Sequence, residues 1–339
     1  MFKKIQKILG AVLAIAFLQC MLSAPVRAQQ SCAPGLRVTV WWWGLVIPDG
    51  YFYFGPNGEW GTFLIATWGG GCPPISFCPT CQKNQATAPN PINLTSGNTY
   101  IQQTDVRIPG LGNGLTLQRT WDSIWPSMSS AYQVGMFGSG WRSTYEERVF
   151  QSNTYMVYLQ GDGTTWLFTN TGGTGWKVAS PANVVATLSQ GSTSWTMTFQ
   201  NGEQKLFSVA SGSLTSIIDR NGNTTSLSYD GLNRLATVTD PVGRHLYFSY
   251  ASGSSLLVTG VTSDVSLSLS YTYDTQGRLT QVTKPDHTIN SFQYDSSSRI
   301  TSVLDNEGKV LESHTYDAKN RGLTSTRAGG VESVTITYP

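Results

Sequence analysis

The stretch RLTQVTKPDHTINSFQYD, residues 278–295, reads as one β-hairpin. Two short runs rich in Val, Thr, Ile, Phe and Tyr flank a Pro-Asp turn, and the Tyr-Asp at its end opens the next turn. The unit recurs along the last third of the chain. A tyrosine returns at Tyr229, Tyr250, Tyr273, Tyr294, Tyr316 and Tyr338, at spacings of 21, 23, 21, 22 and 22 residues. Arginine follows four of them by five residues, at Arg234, Arg278, Arg299 and Arg321. Apolar pairs come next, Leu214/Ile217, Leu235/Val238, Leu279/Val282 and Ile300/Val303, and then Asp-x-x-Gly turns at 219–222, 240–243 and 305–308. A fixed period of this size means stacked supersecondary units. A lone hairpin is marginal in water, so neighbours pair edge to edge and bury a continuous face.

The Tyr and Leu columns are expected to pack as a ladder down one face. The Arg column is open to three roles: pairing with the repeated Asp, stacking on Tyr, or lining a ligand surface. The unit around 256–270 is degenerate, because Tyr250 is followed by Ala and both the Arg and the Asp-x-x-Gly turn are absent.

Three segments carry a family resemblance: YDGLNRLATVTDPVG (229–243), YDTQGRLTQVTKPD (273–286) and YDSSSRITSVLDNEG (294–308). The pattern resembles the Rhs family, also called YD-repeat proteins. Upstream, Asn93-Leu94, Ser96-Gly97-Asn98, Thr104-Asp105, Ile108-Pro109-Gly110, Leu115 to Arg119 and Trp121-Asp122-Ser123 follow in order. With FGSGWRSTYEERV (137–149), they resemble the domain of unknown function that commonly precedes Rhs repeats. The resemblance implies repeats coiled into a hollow β-shell that encloses or presents a C-terminal toxin or adhesive segment. About six units are present here, which implies an open stretch of twisted sheet awaiting a continuation or a separate polypeptide. The terminal strand edge is expected to drive self-association.

Between these parts, hairpins marked by Asp162-Gly163, Thr171-Gly172-Gly173 and Asn201-Gly202 lead into the repeats. One continuous sheet is therefore expected from about residue 100 to the C-terminus. Nearer the N-terminus, LRVTVWWWGLVI (36–47), YFYF (51–54) and EWGTFLIATW (59–68) read as three strands of a meander. Ten of the 28 residues from Trp41 to Trp68 are aromatic. Trp41, Trp42, Trp43, Trp60 and Trp68 form either a platform for carbohydrate or cell envelope, or the filling of a thin core. Cys32, Cys72, Cys78 and Cys81 are candidates for two disulfides with three possible pairings. Cys78-x-x-Cys81 alone has the spacing of a zinc knuckle.

Lys3, Lys4 and Lys7 ahead of an apolar run at 8–18, with Val26-Arg27-Ala28 after it, read as a cleavable export signal. Its removal takes the net charge from +2 to −2, since it holds three Lys, one Arg and no acid. No Lys/Arg cluster remains to attract nucleic acid. The destination is the periplasm, the cell surface or the medium. The expected segments are a leader at 1–28, a Cys- and aromatic-rich module at 29–81, and a linker at 82–91. The pre-Rhs domain follows at 92–170, connecting hairpins at 171–212 and repeats at 213–339. The fold class is all-β, because charged residues are only 12% of the chain and no stretch shows sustained helical periodicity.

No catalytic constellation stands out. His245, His287 and His314 have no partner suggested by spacing, and His287 takes the place of a turn glycine. Glu146 and Glu147 are expected on one strand, facing opposite sides. No cofactor, metal or catalytic residue is assigned; a glycosidase built from distant carboxylates is the enzymatic alternative.

Overall fold

The protein is described from a computed structural model. It describes residues 92–124, 134–152, 154–330 and 332–338, and the backbone of four short strands between 40 and 61. The leader, the linker, all four mature cysteines, Trp43 and Trp68 lie outside the described residues. The chain divides into two units, Met1–Ile75 and Ser76–Pro339.

In the first unit Val40–Trp42 pairs antiparallel with Leu45–Ile47, placing Trp41 opposite Val46 and Trp42 opposite Leu45. The run 36–47 is thus not one strand but folds back on itself. Tyr53–Phe54 pairs with Trp60–Gly61 around the Pro-Asn-Gly segment, with Phe54 opposite Trp60.

In the second unit the described residues form a nineteen-stranded antiparallel sheet, from Arg148–Ser152 to Glu332–Thr335. Each strand pairs with the next in sequence. Among the described residues no α-helix occurs. The sheet does not begin near residue 100, as expected. Tyr100–Ile108, Leu115–Asp122 and Trp141–Ser143 form a separate three-stranded sheet. Leu115, Leu117, Trp121, Phe137 and Trp141 from this part are fully buried in one core with the repeat residues. These strands stack on the repeat sheet and do not extend its edge.

The repeat sheet is therefore not an open stretch with two free faces. Leu235, Val238, Leu246, Val258, Val261, Leu279, Val282 and Ile300 line its covered face. Ser226, Ser228, Ser249, Thr262, Ser268, Ser270 and Thr272 line the exposed one. This alternation is the strand period of two at work. The degenerate unit keeps its place: Val258–Ser263 and Ser268–Tyr273 pair like the others, and Ser263 Oγ replaces the turn aspartate as acceptor from the Val265 N–H at 3.2 Å.

The first strand does not leave a free edge. Arg148 forms a bridge with Ser213, the Val149 N–H donates to Gly212 O at 2.8 Å, and the Leu214 N–H donates to Glu147 O at 3.1 Å. The first seven strands thus curl back until the start of the sheet meets the beginning of Leu214–Ile218.

Candidate functional site

Each repeat starts from its turn. In 230–234 the Asp230 N–H donates to Arg234 O, and the Asn233 N–H donates to Asp230 O, both at 2.9 Å. Asp230 Oδ1 accepts the N–H groups of Leu232 and Arg234, each at 2.9 Å. The fourth residue of the turn must be left-handed, which suits Gly277 (φ 74°) but is also met by Asn233, His287, Ser298 and Asn320. The same bonds recur at Asp274, Asp295 and Asp317.

The strand that follows carries a bulge. Tyr229 pairs with Leu235 but Ser228 pairs with Thr237, so Ala236 is an extra residue. Thr280 and Thr301 hold the same place in later units. The bulge explains the Leu-x-x-Val spacing. Residues three apart on a regular strand face opposite sides, and one inserted residue brings both to the core. Where threonine sits at the bulge, its hydroxyl donates across the ladder: Thr280 to Thr272 O at 3.1 Å, Thr301 to Gln293 O at 3.3 Å.

The tyrosine column binds the carbonyl beside the previous bulge. Tyr229 donates to Leu214 O, Tyr250 to Leu235 O, Tyr273 to Val258 O, Tyr294 to Leu279 O, Tyr316 to Ile300 O and Tyr338 to Gly322 O, at 2.5–2.8 Å. The rings of Tyr229, Tyr250, Tyr273, Tyr294 and Tyr316 also pack on the core, but the hydroxyl is what joins one unit to the next. Burial pushes all six phenols above the ordinary tyrosine range. Tyr273→Phe removes one such donor and leaves a buried carbonyl without it. A loss of about 1–3 kcal/mol in unfolding free energy is expected, readable by urea titration.

The arginine column makes two of the three contacts open to it at once. Arg234, Arg278, Arg299 and Arg321 pair with Asp230, Asp274, Asp295 and Asp317 four residues back, Nε to Oδ2 at 2.6–2.7 Å. Each guanidinium also lies over the next tyrosine ring, 4.4 Å from Tyr250, 5.0 Å from Tyr294, 4.9 Å from Tyr316 and 4.0 Å from Tyr338. Nη1 then reaches the following turn: Arg299 donates to Asp317 O at 2.7 Å, and Arg234 to Ser255 O at 2.9 Å.

Asp230 is held below the ordinary carboxylate range by the Arg234 backbone N–H, against the upward push of burial, with help from the Arg234 side chain. At Asp240, Asp274 and Asp317 burial pushes upward, and the turn N–H and guanidinium bonds outweigh it. Depressed folded-state values stabilise above the unfolded carboxylate range and are lost as pH falls through the lower folded values. The melting temperature should therefore hold from neutral pH to about 5 and fall steeply below about 4. A flat profile to strong acid would show that the turns contribute nothing.

The segment 92–147 is fastened along the covered face. Arg244 Nη2 donates to Pro109 O at 2.8 Å, the Val258 N–H to Met136 O at 2.8 Å, and the Gly322 N–H to Gly97 O at 2.7 Å. Ser123 Oγ donates to Asn320 O at 3.0 Å. Trp141 Nε1 donates to the Tyr294 hydroxyl at 3.3 Å. Gly138 (φ 91°) crosses the repeat backbone so closely that a Cβ there would lie 2.5 Å from Gly277 O. At the centre Arg119, fully buried, pairs with Asp105 through Nε and Nη2, and the Tyr271 hydroxyl donates to Asp105 Oδ2 at 2.8 Å.

Two of the three histidines have side-chain partners. His245 Nδ1 meets Asp264 Oδ2 at 2.7 Å across two strands, and His314 Nε2 meets Glu312 Oε1 at 2.9 Å, on the same face of one strand. Glu146 and Glu147 precede the strand Arg148–Ser152 and do not lie on it. They still diverge: Glu146 accepts the Met136 N–H at 2.6 Å, and Glu147 pairs with Lys205 at 2.8 Å. Among the described residues no group of three or more His, Cys, Asp or Glu is placed to hold a metal ion. The Asp, Arg and Tyr columns bond turns, bulges and neighbouring units to one another.

Residues 89–168 match the Domain of unknown function DUF6531, and residues 210–245 and 255–289 match the RHS Repeat. The first match runs past the docked segment into the opening strands of the long sheet. Among characterised proteins, the tRNA nuclease WapA of Bacillus subtilis strain 168 is 29% identical over 144 residues, 42% of this chain and 6% of that protein. The tRNA3(Ser)-specific nuclease WapA of Bacillus spizizenii is likewise 29% identical over 6% of its length. Among solved structures, TcdB2-TccC3-TEV aligns at a TM-score of 0.29 and 12% identity, over 55% of this chain and 13% of that one. The Photorhabdus luminescens Tc holotoxin pore aligns at 0.25 and 11%, over 71% and 17%.

Proposed function

From the premise that this chain is an Rhs-repeat protein with the DUF6531 domain ahead of its repeats, we propose that it serves as an exported, non-catalytic β-scaffold. Its leader carries it out of the cytoplasm. Its repeat sheet forms part of a wall that encloses or presents a toxin or adhesive segment lying outside these residues. The observation that carries this reading is the Asp–Arg–Tyr latch, which couples each turn to the next unit and uses the columns as fasteners. The nuclease named in the WapA relatives belongs to proteins of which this stretch spans 6%.

Purified protein incubated with total tRNA and with a panel of glycans should cleave neither. Turnover that disappears with a single carboxylate or histidine substitution would overturn the scaffold reading. Wall formation also needs a partner at the strand Glu332–Thr335, where the sheet can add a strand. Sedimentation velocity should show association that is abolished by Ser333→Lys with Thr335→Lys. A concentration-independent monomer would count against pairing at this edge.

A further inference from the structure

Glu147 and Lys205 meet inside the curl of the first strands. Lys205 Nζ lies 2.8 Å from Glu147 Oε2 and 3.0 Å from Oε1. The two side chains are 14% and 9% exposed for Lys205 and Glu147. Glu147 stands just ahead of Arg148–Ser152, and Lys205 lies in Gln204–Ser208. Tyr158 completes the group. Its hydroxyl donates to Glu147 Oε2 at 2.5 Å and sits 3.1 Å from Nζ. Rings wall the site: Nζ is 5.5 Å from the Phe199 centroid, and Trp166 and Phe207 stand edge-on to Tyr158 at 5.3 and 5.8 Å. Burial, and then the neighbouring Glu147 charge, keep the phenol protonated far above the usual range.

We propose that Lys205 and Glu147 condense into an intramolecular amide. A proton passes from the ammonium to the carboxylate within the contact pair. The neutral amine attacks the carboxyl carbon, forming the C–N bond, while the Tyr158 O–H supports the developing oxyanion. The C–OH bond breaks, the leaving hydroxide takes a proton from nitrogen, and one water departs. No oxidant or cofactor takes part. Two groups held in contact react as if at very high concentration. Condensation also removes two charges from a site where desolvation disfavours them. The link would tie the start of the long sheet to its seventh strand, beside the backbone bonds at Gly212, Ser213 and Leu214 that close the curl.

Intact-mass measurement of the purified protein, folded and then reduced, should give one water less than the mass of the same polypeptide unlinked. A protease digest should release one joined peptide containing Glu147 and Lys205. Lys205→Arg keeps the cation but not the nucleophile, and should restore the full mass. Tyr158→Phe should leave most of the chains unlinked. Full mass for the folded wild-type chain, with the two peptides recovered separately, overturns the proposal. Complete linkage in Tyr158→Phe overturns the role given to the phenol.

Discussion

Arg119→Ala is expected to lower the unfolding free energy by about 3–5 kcal/mol, the cost typical of removing one partner of a buried ion pair. Arg119 has no solvent exposure and is surrounded on every side. Its Nη2 donates to Asp105 Oδ1 at 2.9 Å and to Gln103 Oε1 at 3.0 Å. Its guanidinium lies 4.6 Å from the Trp141 ring centroid and 5.5 Å from those of Phe137 and Tyr271. Alanine would leave Asp105 buried with only the Tyr271 hydroxyl and no countercharge. Lysine should fail as well, because it offers neither the planar fork nor the stacking surface. Replacing both partners, Arg119→Met with Asp105→Leu, should recover much of the loss, since no charge is then stranded. Urea titration followed by tryptophan fluorescence measures all three. A loss under about 1 kcal/mol for alanine would place the docking energy elsewhere on the face.

Trp141→Ala should cost about 3–5 kcal/mol, the range for deleting a large ring from a closed core. The indole is fully buried and stands edge-on to Phe292 at 5.1 Å, with Arg119 over its face. Its N–H holds the Tyr294 hydroxyl, so its loss also disturbs the inter-repeat latch. The cavity would open between the docked segment and the repeats, and proteolysis at 92–147 should accelerate. Because Trp141 and Arg119 touch, the double variant should lose less than the two single losses together. Full additivity would argue that the two side chains act at independent sites.

Both positions show why part of the site was not legible beforehand. Arg119 reads in sequence as an ordinary polar residue on an alternating strand. Its partner Asp105 lies on the neighbouring strand, and Tyr271 is 166 residues from that aspartate. The tyrosine column was visible as a column, yet its hydroxyl acceptors were not. They lie 15 or 16 residues back, on a neighbouring unit whose stacking sets the reach of each hydroxyl. The arginine column was legible as a column with three roles open to it, and its simultaneous hold on aspartate, tyrosine and the next turn depended on how the hairpins stack. The bulge itself was written in the Leu-x-x-Val spacing, which a flat strand could not bury.

The sequence by itself determined the hairpin, its period, its turns and the all-β class. These rest on contacts within a few residues: Asp with nearby N–H groups, residues able to be left-handed, and apolar side chains at recurring places. The tertiary structure alone decided which face is covered and what covers it. It also decided that the sheet starts at Arg148, and that its first strand closes on Gly212 and Ser213. Those outcomes rest on pairings between segments far apart in the chain, such as Ser123 with Asn320 at a separation of 197 residues. Such pairings follow from the register and curvature of the whole sheet, which no single repeat contains. The repeat was therefore readable as one hairpin, whereas the enclosed face it builds exists only once many hairpins and the segment 92–147 have packed together.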